Sequence, residues 1–459
     1  MLKISDLLSS HLITINTGSA DTVLSSVSTD SRKADPGSLF VAIKGEKYDG
    51  HDFIPAVIKA GVKAILVNTE RTDEFLDAGI TVLSAPDTIK AYGEIGRIYR
   101  KHKKFRVVSL TGSNGKTSTK EILYSLFSSK YKTYATGANN NNHIGVPLTI
   151  LSAPADTQYL ILEIGTNHFG EIEYSAGIAV PDYGVILNIG DSHLEYLINR
   201  QGVRKEKEAL LKATEANYGT VFINQDDPLL APLSAKYSRV KTFSFTTDAD
   251  YKGNIMGFTN DVKTILNISS PAGKFDVIVP LPGENNAKNM LAAIAIAMEC
   301  GLTPQEIIAA AASIKPAKGR LNRIEAGEFS VVDDTYNANP DSMKAAFDYL
   351  GKDKTRSRRI AVLGDMFELG ENAVEMHISL AKHLKQNGFE KVFLTGENMK
   401  HLAEKLSPLK ISNEHFEEKG KLAESLMNEE LSDSIVLVKG SRGMKMEEIV
   451  KVLIERGNR

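Results

Sequence analysis

The stretch Val107–Ile122, VVSLTGSNGKTSTKEI, joins a short apolar run to helix-forming residues through a loop with two glycines and a lysine. Gly112 and Gly115 let the backbone bend so that its N–H groups face an anion, and a following helix adds its positive N-terminal end. Lys116 would reach the terminal phosphates of a nucleotide, and Thr117 would offer its hydroxyl to Mg²⁺. The strict P-loop pattern has one more glycine, where this chain has leucine, and an ordinary strand-to-helix turn is the alternative. The Lys-Thr pair in register favours a variant phosphate-binding loop.

Composition limits the class of protein to which the chain can belong. The chain has 459 residues, 42% of them hydrophobic and 24% charged, and a formal net charge of −2. The length indicates about three domains, and the charge gives no reason to expect nucleic acid or an anionic membrane as partner. The single cysteine, Cys300, allows no intrachain disulfide and fits a reducing cytosol. Neither the N-terminus nor the apolar run MLAAIAIAMECGL is typical of a signal peptide or a membrane span. We expect a soluble, cytoplasmic and monomeric enzyme.

The N-terminal part of the chain mixes short apolar runs with turn residues. AILVN (Ala64–Asn68) and ITVLSA (Ile80–Ala85) are typical of buried strands, and a turn precedes a further strand in SRKADPGSLFVAIKG. The basic stretch YRKHKKF (Tyr99–Phe105) reads as an exposed connector. We therefore predict a first domain over residues 1–104.

The middle of the chain predicts a parallel sheet around the phosphate loop. QYLILEIG and YGVILNIG are near-continuous apolar runs, which suit parallel strands covered on both faces. A helix to Gly301 and a second one capped by Thr303, with Pro304 in its first turn, follow. This domain is predicted over residues 105–316.

The last part of the chain alternates strand-like and helix-like runs. The strand-like runs are FSVVDD, RRIAVLGD, KVFLTG and SIVLVKG. The alternation predicts a Rossmann-like parallel sheet over residues 317–459. The fold class is therefore α/β, with three domains and a central P-loop ATPase domain.

Residues that could hold a metal follow two of the predicted strands. Glu163 ends the first and His193 follows the second, at the edge of the sheet where ligands bind. The spacing alone also fits a solvated glutamate and a structural histidine. The charged run GVRKEKEALLK (Gly202–Lys212) is typical of a helix, and its composition favours a solvated face.

Six segments of the chain together resemble the Mur ligases, the ATP-dependent amide-forming enzymes of peptidoglycan synthesis. The segments are STDSRKADPGSLFVAIKGEKYDGHDF, LTGSNGKTSTKE, NNHIGVPLTIL, EIGTNHFGEI, DDTYNANPDSMKAA and AVLGDMFELG. The similarity covers essentially the whole chain. The last two segments resemble the branch that uses D-Ala-D-Ala as acceptor, and the Asp-Asn-Pro-Arg motif expected of the branch that adds the third amino acid is absent.

The resemblance implies a role for each matching residue. The implied ATP contacts are Thr111, Gly112, Ser113, Asn114, Gly115, Lys116, Thr117, Asn289, Arg320 and Asp334. The implied metal ligands are Thr117, Glu163, His193 and Lys207 as a carbamate, with Lys205 as the alternative lysine. The implied substrate contacts are Asp30, Ser31, Arg32, Asn142, Thr166, Asn337 and Asn339. The residues expected to be catalytic are Lys116, Lys207, Glu163 and His193.

The resemblance also implies the reaction. ATP would phosphorylate the terminal carboxylate of UDP-N-acetylmuramoyl-tripeptide, and D-Ala-D-Ala would displace the phosphate, with two Mg²⁺ present. A sibling Mur enzyme or a folylpolyglutamate synthase is the nearest alternative, and the DSRKADPGSLF segment favours a UDP-sugar over a folate. An ATPase that acts as a switch on a protein partner is the alternative from another class. The third residue of the tripeptide is not readable from the sequence.

Overall fold

The computed structural model describes residues 2–259, 263–281, 283–315 and 319–458. Its N-terminal sheet has five strands in the order Thr14–Thr17, Thr81–Ala85, Ala64–Asn68, Leu39–Val41 and Val27–Ser28. The first pair is antiparallel and the others are parallel. A small ribbon pairs Leu2–Lys3 with Val23–Leu24. The helices of this part are Ile4–Leu7, Ile54–Lys59 and Thr88–His102, with short 3₁₀ turns at Ser31–Lys33, Gly50–Phe53 and Thr69–Phe75. The three strands predicted here are confirmed.

The connector predicted at Tyr99–Phe105 is only partly exposed, at Lys101, His102 and Lys104. The helix Thr88–His102 continues through most of it, and the side chain of Arg100 is buried. The guanidinium donates to the carbonyl oxygens of Ala179 and Phe105 and, over 2.7 Å, to Oδ2 of Asp182. The prediction is wrong at Arg100, because a guanidinium that donates to several carbonyl and carboxylate oxygens can be buried.

The central sheet has nine strands around the phosphate loop. Their order is Gly273–Val279, Thr264–Ser270, Tyr251–Phe258, Val240–Ser244, Thr220–Asn224, Tyr183–Ile186, Arg106–Thr111, Tyr159–Glu163 and Thr133–Ala135. The strands from Thr133 to Phe258 are parallel in space, and the three at the other edge form an antiparallel meander. Glu163 pairs with Leu110, and Ile186 pairs with Thr111. The strand ends that carry the candidate site therefore lie side by side.

Helices cover both faces of the central sheet. They are Lys116–Ser128, Gly145–Leu151, Glu171–Ala179, Leu194–Leu197, Arg200–Ala216, Glu284–Glu299 and Pro304–Ala311, with a 3₁₀ turn at Ala231–Ala235. The predicted cap is confirmed, because Thr303 Oγ1 accepts from the Glu306 N–H and Glu306 Oε2 accepts from the Thr303 N–H. The two helices Lys116–Ser128 and Glu284–Glu299 share one apolar core, which fixes the helix after the phosphate loop.

The C-terminal sheet has six strands with an apolar core on each face. Their order is Asn322–Ala326, Phe329–Asp334, Ser434–Lys439, Arg358–Gly364, Lys391–Thr395 and Ser412–Phe416. Only the first pair is antiparallel, and the four predicted strands are confirmed. The helices are Pro340–Lys352, Ala373–Ile378, Leu380–Gln386, Met399–Leu406, Lys419–Asn428 and Glu447–Gly457, with 3₁₀ turns at Gly370–Asn372, Ser407–Leu409 and Arg442–Met444.

The limits of the domains stay a prediction. The boundary predicted between residues 316 and 317 lies outside the described residues. In the part of the chain that the structure describes, no helix is both long and apolar enough to cross a membrane.

Candidate active site

The phosphate loop is a tight turn between the strand Arg106–Thr111 and the helix Lys116–Ser128. Gly115 occupies the position before the helix with φ of +84°, a backbone conformation that suits glycine. A Cβ atom at Gly115 would lie 2.4 Å from Oδ1 of Asn289, so the loop and the helix Glu284–Glu299 meet without room for a side chain. Both features make glycine necessary at this position.

The segment after the strand Tyr183–Ile186 holds the loop in place. The Asn114 N–H donates to Asn188 Oδ1 over 2.9 Å, and Asn188 Nδ2 donates back to the Asn114 carbonyl. The Gly190 N–H donates to Ser113 Oγ over 2.9 Å, and this hydroxyl lies 2.9 Å from that of Ser192. The loop conformation is therefore fixed by hydrogen bonds from a neighbouring strand end. Sequence reasoning did not single out Asn188 and Ser192.

Lys116 lies at the start of the helix, with its amine over the loop. Its Nζ donates to the Gly112 carbonyl over 2.6 Å. Desolvation lowers the pKa of this amine, and the nearby Glu163 charge opposes the shift. Thr117, the next residue, is buried, and so is Thr111 at the end of the strand before the loop.

Glu163 presents one satisfied and one unsatisfied carboxylate oxygen. Asn141 Nδ2 donates to its Oε1 over 2.9 Å, and the Glu163 N–H donates to Thr136 Oγ1. Oε2 is buried and has no hydrogen-bond partner among the described residues. A buried carboxylate oxygen without a partner has the capacity to hold a cation. Asn141, in the NNNN tract, is a further site residue that sequence reasoning missed.

Lys207 lies fully buried on the helix Arg200–Ala216, beside Glu206 and Glu208. Within the described chain its Nζ has no hydrogen-bond partner. Desolvation, with a further contribution from the charge of Lys116, holds the pKa of this amine well below its ordinary value. Lys205 is exposed, and its Nζ lies 5.8 Å from the centre of the Phe169 ring. The solvated face predicted for this run was wrong for residues 206–208, which turn toward the core.

His193 connects the central sheet to the C-terminal one. Its Nδ1 lies 2.5 Å from Oε2 of Glu368, and the Leu194 N–H donates to the Glu368 carbonyl over 3.1 Å. The close approach of the His193 ring lowers the pKa of the Glu368 carboxyl. The FELG segment that contains Glu368 resembled the family but gave no local indication of this contact.

Asn339 makes a second contact between the parts of the chain that carry the central sheet and the C-terminal sheet. This residue caps the helix Pro340–Lys352, since its Oδ1 accepts from the Ser342 N–H, while its Nδ2 donates to Asn114 Oδ1 over 2.8 Å. Asn337 Oδ1 accepts from the Arg442 N–H. The loop between the strand Phe329–Asp334 and its helix therefore contacts the phosphate loop directly.

Two cavities meet at the phosphate loop. One of about 470 Å³ has Gly115, Asn289, Arg320, Asp334 and Lys439 among its lining residues. Lys439 Nζ donates to Asp334 Oδ2 over 2.5 Å, a buried ion pair that the sequence analysis did not foresee.

The second cavity, of about 190 Å³, is here called the reaction cleft. It shares Asn114, Gly115 and Arg320 with the first, and the further candidate residues in its wall are Ser113, Lys116, Glu163, Thr166, His193, Asn337 and Asn339. Ten of the candidate residues, from the central and the C-terminal parts of the chain, thus border one space, and the guanidinium carbon of Arg320 lies 4.2 Å from the centre of the Tyr336 ring.

Besides Thr111, Gly112, Thr117, Lys205 and Lys207, four further candidate residues line neither cavity. Asp30 caps the 3₁₀ turn Ser31–Lys33 of the N-terminal part, and hydrogen bonds from the side chain and the backbone N–H of Arg32 lower the pKa of Asp30 to about 2. The Asn142 side chain accepts from the N–H groups of Ile144 and Gly145, at the start of the helix Gly145–Leu151. None of the four lines the two cavities.

Among the described residues, no three His, Cys, Asp or Glu side chains gather as a metal site. A metal in the reaction cleft would therefore need ligands of other kinds, such as the Thr117 hydroxyl, a modified lysine or the phosphates of a nucleotide.

Three mainly parallel sheets, a phosphate loop and a cleft lined by residues from two of the sheets are features of a P-loop nucleotide-binding protein. Comparison with known proteins is more specific. Residues 23–100 match the Mur ligase family catalytic domain, residues 110–297 match the Mur ligase middle domain, and residues 319–442 match the Mur ligase glutamate ligase domain. The chain belongs to the Mur ligase family and is a ligase.

The curated relatives are similar over nearly their whole length. The UDP-N-acetylmuramoyl-tripeptide–D-alanyl-D-alanine ligase of Bacillus subtilis is 34% identical, over 95% of this chain and 94% of its own. That of Escherichia coli is 35% identical, over 95% of both chains. A solved structure of MurF from Acinetobacter baumannii is 32% identical with a TM-score of 0.84, over 94% of this chain and 93% of its own. MurF from Thermotoga maritima, solved in complex with ADP, is 27% identical with a TM-score of 0.81, over 94% and 98%.

Proposed function

We propose that this chain joins D-Ala-D-Ala to UDP-N-acetylmuramoyl-tripeptide at the expense of ATP, and releases UDP-N-acetylmuramoyl-pentapeptide, ADP and phosphate. The observation that carries the proposal is the reaction cleft, where the phosphate loop, Glu163 and His193 face Asn337 and Asn339 of the last domain. The relatives named for this reaction cover the chain from end to end, which supports the same conclusion.

The chemistry requires a carboxylate to be activated, because a free carboxylate is a poor electrophile. The γ-phosphoryl group of ATP would be transferred to the terminal carboxylate of the tripeptide, and the amine of the dipeptide would attack the resulting acyl phosphate. A new C–N bond forms as the C–O bond to phosphate breaks, and the amine loses its proton. The reaction thus depends on placement and electrostatics, with no nucleophile from the enzyme.

The loop residues would neutralise the anionic groups. The N–H groups of residues 115–117, at the start of the helix, and the amine of Lys116 would contact phosphate oxygens, whereas the Ser113 and Asn114 N–H groups already donate to Asn188. Asn289, Arg320 and Asp334 border the larger cavity, which suits the remainder of the nucleotide. These contacts would hold the γ-phosphorus toward the reaction cleft.

The cleft also fits magnesium, of which we expect two ions. The unpartnered Oε2 of Glu163, the hydroxyl of Thr117, the ring of His193 and a carbamate on Lys207 are the ligands we propose. When bound, Mg²⁺ supplies charge that offsets the repulsion between phosphate and carboxylate. The buried, unpaired amine of Lys207 supports the carbamate, because a neutral amine can add CO₂ and become a carboxylate.

The remaining roles are assigned by domain. The turn Asp30–Arg32 would contact the UDP moiety, Asn142 and Thr166 the sugar-peptide, and Asn337 with Asn339 the acceptor side. We propose domain limits of 1–104, 105–316 and 317–459. Contact between the central and last domains would exclude water, which could otherwise hydrolyse the acyl phosphate. A cytoplasmic location and a monomeric state stay predictions.

An acceptor screen tests the proposal. ADP release from the purified chain is measured with UDP-N-acetylmuramoyl-tripeptide and either D-Ala-D-Ala or single amino acids, and the product is identified by mass. The proposal expects rapid ADP release and pentapeptide product with the dipeptide alone. ADP release driven by a single amino acid, or independent of the UDP-peptide, would instead indicate a sibling ligase or a switch ATPase.

A further inference from the structure

Three loops of the last domain meet beside the reaction cleft. They follow three adjacent parallel strands, Phe329–Asp334, Ser434–Lys439 and Arg358–Gly364. The carboxyl ends of parallel strands open on one edge of a sheet, which is where ligands bind in this architecture. Ser441 joins the loops, because its Oγ accepts from the Phe367 N–H over 2.8 Å and donates to the Ala338 carbonyl over 3.3 Å. The loop that contains Ser441 is therefore held against two loops that line the cleft.

Arg442, the next residue, lies over one aromatic side chain of the cleft wall, and its neighbour Gly443 packs on another. Its guanidinium carbon is 5.4 Å from the centre of the Tyr336 ring. Gly443 packs so closely on Phe367 that a Cβ atom there would lie 2.8 Å from Cε2 of the ring. Tyr336 and Phe367 both line the reaction cleft, and 45% of Phe367 is exposed. A cation and an exposed apolar ring thus lie on neighbouring loops, next to residues that line the cleft.

Most arginine side chains of the last domain donate hydrogen bonds to other described residues of the protein, and that of Arg442 does not. The side chains that donate to carboxylate or carbonyl oxygens are those of Arg323, Arg356, Arg358, Arg359 and Arg456. The guanidinium of Arg442 is exposed and, within the described residues, donates no hydrogen bond and forms no ion pair. Arg320 also forms no ion pair among the described residues, but it lines the cavity of about 470 Å³, whereas Arg442 does not. Arg442 is therefore a cation that is free to bind an anion outside that cavity.

We propose that Arg442 binds the terminal carboxylate of the acceptor dipeptide, with Phe367 as the apolar surface beside its methyl groups. The assignment rests on the proposed function and specifies which residues recognise the acceptor. A guanidinium matches a carboxylate through two parallel hydrogen bonds, so this residue type suits the role. The exposed ring of Phe367 offers contact to small side chains without a polar group to satisfy.

The length of a dipeptide sets the spacing that this assignment requires. Glu368, next to Phe367, contacts His193 in the cleft wall, whereas Gly443 packs on the Phe367 ring and Arg442 lines neither cavity. An extended chain advances at most about 3.6 Å per residue, so a dipeptide spans roughly 7 Å from amine to carboxylate. A single amino acid spans about half of that. Arg442 therefore selects acceptors that carry their carboxylate one residue further from the reacting amine.

Steady-state kinetics with two acceptors test the assignment. The Arg442→Ala and Arg442→Gln variants are compared with the wild type on D-Ala-D-Ala and on D-Ala-D-alaninamide, which lacks the terminal negative charge. We expect the wild type to prefer the acid, and both variants to raise the KM for D-Ala-D-Ala by about 10- to 100-fold and to lose the preference over the amide. The KM for ATP stays unchanged. Lys445→Ala, which removes an exposed cation from the same loop, is the matched control and keeps wild-type kinetics.

The outcomes separate this assignment from the proposed function. An Arg442→Ala variant with the KM of the wild type for D-Ala-D-Ala, or with its full preference for the acid over the amide, contradicts the assignment alone. A raised KM for ATP would place Arg442 at the nucleotide and overturn it as well. A wild-type enzyme that forms no product from D-Ala-D-Ala contradicts the proposed function itself.

Discussion

The side-chain amide of Asn339 donates to Oδ1 of Asn114 over 2.8 Å, across 225 positions of the sequence. Asn114 belongs to the phosphate loop and Asn339 to the loop after the first parallel strand of the last domain. The contact between the two domains is therefore made at the residues that surround the reaction cleft. A change that weakens it should affect turnover more than nucleotide binding.

The first prediction separates the two roles of Asn339. Serine also caps a helix but lacks the amide donor, so Asn339→Ser should lower kcat about tenfold, because domain closure is impaired, at nearly unchanged stability. Asn339→Ala should lose about 1 kcal/mol of unfolding free energy in addition, since the cap is removed. Urea unfolding and steady-state kinetics measure the two effects. A serine variant with wild-type turnover would show that the contact has no part in catalysis.

A second prediction concerns the space at Gly115. Gly115→Ala brings a Cβ to 2.4 Å from Asn289 Oδ1 at a positive φ, so we expect the protein to lose more than about 1 kcal/mol and most of its affinity for ATP. Titration calorimetry and thermal unfolding measure both. Gly177→Ala is the matched control: Gly177 lies within the helix Glu171–Ala179 and a Cβ there meets nothing within 4 Å. The control should gain up to about 1 kcal/mol, and an equal response of the two variants would contradict the prediction.

The buried amine of Lys207 gives a third prediction, on stability. Its folded pKa is lowered from an ordinary value of 10.5, so between the two values the unfolded chain binds one more proton and stability rises with pH. In bicarbonate-free buffer, Lys207→Met should therefore be more stable than the wild type by on the order of 2 kcal/mol at neutral pH, and inactive. The difference should shrink as the pH rises toward 10.5. A less stable methionine variant, or a gap independent of pH, would contradict a buried neutral amine.

The fourth prediction concerns the carbamate. With ¹³C-labelled bicarbonate, the wild type and Lys205→Ala should show a carbamate resonance by NMR, and Lys207→Ala should not, because Lys207, unlike the exposed Lys205, is buried and has no hydrogen-bond partner among the described residues. Activity should follow the same order. A signal that survives in Lys207→Ala and vanishes in Lys205→Ala would assign the modification to the exposed lysine.

The regular elements were predictable from local pattern to different degrees. The buried strands Ala64–Asn68 and Tyr159–Glu163 were foreseen because a run of apolar residues is a local signal. The strand Ser412–Phe416, SNEHF, was missed because an edge strand with one covered side carries too few apolar residues. The run at Arg100 was misjudged because the acceptors that bury it are Ala179, Val180 and Asp182, far along the chain.

Most residues of the site were predictable from motifs, but their contacts with one another and their burial were not. Motifs predicted that Lys116, Glu163 and His193 lie near one another, since each stands at or after the end of a strand of one parallel sheet. The pairing of His193 with Glu368 joins two domains, and no periodicity or spacing encodes such a contact. Burial of Lys207 likewise depends on how its helix packs, whereas the charged residues around it indicate exposure.

The central claim is that ATP activates the terminal carboxylate of the peptide as an acyl phosphate, and isotope transfer tests it most directly. UDP-N-acetylmuramoyl-tripeptide labelled with ¹⁸O in its terminal carboxylate is converted in the presence of ATP, Mg²⁺ and D-Ala-D-Ala, and the released phosphate is examined by mass spectrometry. The account predicts one ¹⁸O atom in each phosphate, because the C–O bond of the acyl phosphate breaks when the amine attacks. Unlabelled phosphate accompanied by pentapeptide product would contradict it.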